Sequence, residues 1–324
     1  MVASIVFLVL IVVSFAVSLL AVAVGLVSEG NQTVLETTIF STIVFAAFFL
    51  VFVAFAKREV TSSRLQDVGD QDEARVTSKG HAKITFKDYV DHYNIKKPST
   101  SGVLIITLLG LVYIVTFIMA QTGVIDFFKL LGYDGSMNQL TINNFGQYLM
   151  LVWALAVLPA IVEELLFRGV IFHGFLKYGK VAAVIASSVL FSLMHLSPSQ
   201  TFAQFAFGII LALVYLGTKN LVYPIILHFV NNFTIVTILY ASQGALDETF
   251  VYTAQNVLMM LLLLGLGVLV IWNLIKILTK KQDWTKETGQ GFGTEKKKFF
   301  SQENAAFPAA LMVGILIWIF VFIS

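Results

Sequence analysis

The sequence predicts an all-α fold: a polytopic membrane bundle of about eight or nine transmembrane helices. Three observations carry this expectation. The chain is 58% hydrophobic and only 12% charged, where a water-soluble domain has about 25% charged residues. Its apolar runs are long and lack the strict alternation of barrel strands. Lipid then leaves only helices or closed barrels, because every backbone polar group must be paired within the protein. There is no cysteine, which excludes disulfides, thiolate chemistry and cysteine-based metal sites.

Each span needs about 20 apolar residues. The first run, residues 2–27, lacks the basic n-region of a secretory signal and is read as a retained span. The next run is 34–56, and 1–56 is taken as two N-terminal transmembrane helices. Residues 57–101 form a charged loop, with nine Lys/Arg and seven Asp/Glu among Gly, Ser and Thr. That composition suits a partly disordered linker. Within it, KITFKDYVDHYNI (Lys83–Ile95) has the spacing of a short amphipathic helix at the membrane interface. A central block, 102–245, holds spans near 102–121, 147–175, 181–196, 201–217 and 221–240. Those at 181–196 and 201–217 are short enough for one to be re-entrant or offset. The C-terminal part, 246–324, adds spans at 251–277 and 305–323 around a basic loop.

Basic residues set the orientation. Nineteen of the 21 Lys/Arg fall on one side of this nine-span layout, Lys129 and Arg168 being the exceptions. The opposite loops hold Glu29, Glu36, Asp126, Asp134, Asp247 and Glu248. The layout predicts a multi-pass protein of the cell membrane, with the N-terminus and loop 57–101 cytoplasmic and the C-terminus outside.

Three spans carry polar groups that lipid should reject, since a charge at a helix centre costs about 2.5–3.5 kcal/mol or more. Span 147–175 has Glu163, Glu164 and Arg168. Span 181–196 ends in FSLMH, Phe191 to His195. Span 221–240 contains HFVNN, His228 to Asn232. At about 1.5 Å per residue, Glu163, His195 and Asn232 lie about 20 Å from the basic side, and His228 about 13 Å. Three helices thus present Glu, His, His and Asn at similar depth, where they can share one cavity.

Spacing separates their roles. Glu164 and Arg168 stand i,i+4 and can pair on one helix face. Glu163 points about 100° away and is free to face the cavity. His228 and Asn232 share a face. Phe191 lies one turn before His195 and can fix its ring. Pro159, one turn before Glu163, leaves the Leu155 carbonyl without its α-helical donor. Asn231 is read as interhelical glue and Ser187, Ser188 and Ser192 as small packing residues. His173 is placed at the basic interface.

The three motifs EELLFR, FSLMH and HFVNN fit the patterns EExxxR, FxxxH and HxxxN, in order and on successive segments. In this the chain resembles the CPBP family of CAAX proteases and bacteriocin-processing enzymes, also called Abi, over roughly residues 100–245. The resemblance implies an all-helical intramembrane protease with 102–245 as its catalytic core. By the family pattern Glu163 would be the base, acting on water with His195, while His228 and Asn232 would stabilise the oxyanion. Glu164 and Arg168 would be structural support. The implied partners are a peptide or lipid-anchored protein substrate and membrane lipid, with no nucleic acid.

Neutral imidazole and carboxylate also suit zinc, whose ligands would be Glu163, His195 and His228. The cofactor is left open. A metal-free mechanism is slightly favoured, because there is no HExxH helix and Asn232 suits an oxyanion donor better than a ligand. No Ser or Cys in the motifs has a matched base, so a covalent nucleophile is disfavoured. Two other classes fit the same residues. One is a non-proteolytic, immunity-type membrane regulator that binds a partner. The other is a proton-coupled transporter, which should show inverted repeats that the sequence does not clearly have.

The orientation is testable because single cysteines can be placed freely. Cysteines in 57–101 and 276–304 are expected to resist a membrane-impermeant thiol reagent in intact cells. Labelling of both would reverse the topology.

Overall fold

The computed structural model describes residues 2–23, 33–69, 85–133, 140–242, 254–280 and 306–323. These form ten helices and, among the described residues, no strand. They are α1 (Val2–Ala23), α2 (Val34–Gly69), α3 (Phe86–His92), α4 (Thr100–Leu130), α5 (Phe145–Leu176), α6 (Lys180–Met194), α7 (Thr201–Thr218), α8 (Val222–Ala241), α9 (Ala254–Leu278) and α10 (Ala306–Ile323). Eight are long and apolar enough to cross a membrane, and α6 is a shorter apolar helix. The protein is therefore a multi-pass membrane helix bundle, and each expected span has its helix.

Two boundaries differ from the sequence reading. Helix α2 does not stop near residue 56 but runs on to Gly69. Residues 57–68 contain no Pro or Gly, so nothing in the chain breaks the helix once it leaves the apolar run. Helix α4 likewise extends to Leu130, past the 121 expected. The rest of the expected linker to residue 84, and most of the basic loop at 276–304, lie outside the described residues.

The expected interfacial helix is α3, opened by a Thr85–Asp88 capping box. Its C-terminal end is bound into the bundle. Tyr93 is fully buried. Its hydroxyl donates to Glu59 Oε2 of α2 at 3.0 Å, and its ring meets Phe52 at 5.4 Å. The chain then crosses to the start of α8. Lys96 N donates to Asn220 Oδ1 at 3.2 Å and Asn220 Nδ2 donates back to Lys96 O at 2.9 Å.

Helix α5 is the axis of the bundle. Asn144 caps it, its side chain accepting from Gln147 N at 3.0 Å. Two wider π-helical stretches interrupt it, Val152–Val157 before Pro159 and Leu165–Ile171 after Glu164. Such stretches are uncommon and concentrate at functional sites. Helices α1 and α2 pack directly on α5: Ala3, Phe7 and Leu10 join Val170, Ile171 and Phe172 in one core. Gly174 permits this approach, since a Cβ there would meet Ala3 Cβ at 2.8 Å. Helix α10 closes the far side, with Phe307 against Phe175 at 5.3 Å and Gly314 under Leu193 of α6.

Candidate active site

The site is built around a carboxylate that cannot be left alone. Glu164 and Arg168 are both fully buried. Arg168 Nη1 donates to Glu164 Oε1 at 3.0 Å, confirming the i,i+4 pair. The guanidinium also donates from Nη2 to the Gly208 carbonyl of α7 at 3.0 Å, and Cζ lies 4.7 Å from the centre of the Phe191 ring of α6. A Cβ on Gly208 would come within 3.1 Å of the Ser188 backbone. The glycine thus lets α7 and α6 close around Arg168.

The same Glu164 oxygen has a second partner that spacing along one helix could not reveal. His228 Nδ1, on α8, lies 2.8 Å from Glu164 Oε1. The Glu164 oxygen already accepts from Arg168 and accepts again here, so Nδ1 is the donor of this bond. The other ring nitrogen, Nε2, is thereby turned toward Glu163, 3.9 Å from its Oε2. That is too long for a hydrogen bond. Glu163 Oε2 is buried and receives no hydrogen bond from the protein. Phe207 and Phe191 set edge-on rings against His228, at 5.6 and 5.8 Å between centroids.

His195 is the residue after α6. Its Nδ1 is 2.8 Å from the Phe191 carbonyl one turn back. The backbone oxygen fixes this nitrogen as the N–H, leaving Nε2 free of the helix. Its ring packs against Phe191 at 5.0 Å, as the spacing suggested. Phe191 is thus a shared wall: Arg168, His195 and His228 all touch its ring.

Asn232 solves the problem that Pro159 creates. Its Nδ2 donates to the Leu155 carbonyl at 2.9 Å, the oxygen that proline cannot serve. Asn231 Nδ2 in turn donates to Asn232 Oδ1 at 2.9 Å. The amide of Asn232 keeps a second N–H beyond this bond. Asn231 therefore orients its neighbour in place of the interhelical contact expected of it. His173, read as interfacial, is held locally near the basic end of α5. Its Nδ1 lies 2.9 and 2.8 Å from the Arg168 and Gly169 carbonyls, and Tyr215 OH is 3.3 Å from Nε2.

Of the predicted residues, the fold brings Glu163, Glu164, Arg168 and His228 into direct contact. His195 joins across Phe191, and Asn232 is tied to the Leu155 end of the same helix. Among the described residues, no three His, Asp, Glu or Cys side chains are grouped to hold a metal ion. The Glu163, His195 and His228 set considered for zinc therefore does not fit that role as arranged.

A buried carboxylate–imidazole–guanidinium group across two membrane helices, α5 and α8, defines a class: a membrane protein with an intramembrane polar site. The comparison with known families is more specific. Residues 145–234 match the family described as Type II CAAX prenyl endopeptidase Rce1-like. The resemblance read from the three motifs is thereby shown, and the match contains every predicted site residue. It is narrower than the 100–245 expected, starting at α5. The activity described for that family is that of a CAAX-type endopeptidase, a class that acts on lipid-anchored proteins in the membrane. No curated protein and no solved structure matches the chain.

The shared carboxylate makes a double-mutant cycle informative. Arg168→Met leaves a buried charge uncompensated and is expected to cost about 3–5 kcal/mol. Glu164→Gln alone strands Arg168 in the same way. The double variant is expected to lose clearly less than the two singles together, measured by denaturation in detergent. Additive losses would show that the pair is uncoupled.

Proposed function

We propose that this protein is an intramembrane endopeptidase that hydrolyses a peptide bond of a membrane-associated or lipid-anchored peptide or protein, using water activated by Glu163. The observation that carries the reading is the unpartnered, buried Glu163 Oε2 facing His228 Nε2 across 3.9 Å. A carboxylate oxygen denied any protein donor is a base waiting for a substrate proton.

The reaction then uses this chain's own residues. Water between Glu163 and His228 attacks the scissile carbonyl carbon and gives its proton to Glu163. The carbonyl oxygen becomes negative and takes hydrogen bonds from His228 Nε2–H and the second N–H of Asn232. Both ring nitrogens of His228 then act as donors, Nδ1 to Glu164 and Nε2 to the developing oxyanion. The C–N bond breaks as the proton held by Glu163 passes to the amine nitrogen, with His195 Nε2 as the relay. The products are a new carboxylic acid, which keeps the second proton of the attacking water, and a free amine, with Glu163 returned to its starting form. No step passes through a metal. The substrate must be extended at the cut, because a helical carbonyl is already hydrogen-bonded.

Comparative proteomics of membrane and secreted peptides tests the reading, with wild type against Glu163→Ala. The wild type is expected to release C-terminal fragments that the variant leaves attached, and purified activity is expected to survive exhaustive chelation. Identical peptide profiles would remove the peptidase reading. Activity lost on chelation and restored by stoichiometric zinc would overturn the metal-free step.

A further inference from the structure

Helix α6 has 15 residues, so it rises only about 22 Å. The hydrocarbon core is about 30 Å thick. His195 and the loop after it therefore begin at membrane depth. Non-helical backbone is tolerated there only if the protein pairs its polar groups. This loop also contains Leu196 at φ 50°, a left-handed conformation that persists in a non-glycine residue only where its surroundings hold it.

Two of the groups that hold the loop come from outside the family-matched segment. Trp318 Nε1, on α10, donates to Thr201 Oγ1 at 2.6 Å. That hydroxyl donates onward to the Ser197 carbonyl at 2.9 Å. Gln121 Nε2, on α4, donates to the Ser199 carbonyl. Within the segment, Ser192 Oγ donates to the Thr201 carbonyl at 2.7 Å, joining the residues before and after His195. The indole of Trp318 is itself held, stacked on Phe322 at 5.5 Å and edge-on to Phe128 at 5.9 Å.

We propose that Trp318 and Gln121 are positioning residues that fix the 195–200 loop, and with it the His195 ring, so that α4 and α10 are working parts of the site. Trp318 acts through Thr201 onto Ser197, two residues from His195. Gln121 pins the opposite end of the loop. This inference rests on the reading that His195 serves peptide hydrolysis, and its test separates the two.

Two readouts are made on the full chain in lipid nanodiscs. Trp318→Phe keeps an aromatic ring and removes only the N–H. It is expected to lower kcat about tenfold or more, the scale of a displaced catalytic group, while KM moves little. Thr201→Val removes the bond from Trp318 and the onward bond to Ser197, so it should lower kcat at least as much, and adding Trp318→Phe to it should cause little further loss. The second readout needs no activity. A Ser199→Cys probe, buried in this cysteine-free chain, should react with a thiol reagent several-fold faster when Trp318→Phe is present. Unchanged labelling overturns the latch whatever the turnover. Faster labelling with wild-type turnover overturns its role in the site. Failure of the peptidase reading shows separately, as Glu163→Gln turning over as fast as wild type. If Trp318→Phe does not fold, Gln121→Met carries the same two readouts at the other tether.

Discussion

Everything in this protein's interior is arranged around one buried oxygen, Oε1 of Glu164. It accepts from Arg168 at 3.0 Å and lies 2.8 Å from His228 Nδ1. A lone carboxylate in this setting would be untenable, so the fold must deliver both partners from their own elements. Arg168 comes from the same helix, one π-widened turn on. His228 comes from α8. Gly208 and Phe191 bring α7 and α6 in to serve the guanidinium. One charge balance thus specifies how four helices meet. It also decides which nitrogen of His228 is left to face Glu163.

The two adjacent glutamates consequently do different things with the same chemistry. Glu164 is saturated at Oε1 and tied into the packing. Both carboxylates keep a buried Oε2 without a protein hydrogen bond, but only that of Glu163 lies opposite His228 Nε2. Placing an unsatisfied base beside a fully anchored histidine is costly in isolation. It is sustained because the anchoring partners are themselves well packed. Strained backbone follows the same logic: the π-helical turns in α5 and the left-handed Leu196 both lie at residues that serve the site.

Much of this was legible in the sequence. The apolar runs located every spanning helix, because in lipid a span must be long, apolar and internally bonded. The depth estimate drew Glu163, His195, His228 and Asn232 toward one level from residue counts alone. Pro159 announced an unserved carbonyl at Leu155, although only the fold reveals Asn232 as its donor. Other features left no sequence signal. Spacing along α5 assigned Glu164 to Arg168 and could not see a contact from α8. The partners of His173 are carbonyls of its own helix and a tyrosine 42 residues away, which no spacing rule could show. Trp318 carries no motif, and only the fold sets its N–H against Thr201.

The account stands or falls on the Glu164–His228 bond. Nitrogen-15 spectroscopy of histidine-labelled protein in lipid bilayers, with His228→Gln for assignment, reads it directly. The account predicts a protonated, strongly hydrogen-bonded Nδ1 on His228 near neutral pH, whose signal shifts on Glu164→Gln. An unprotonated Nδ1, with the proton on Nε2 and no response to Glu164→Gln, would contradict it.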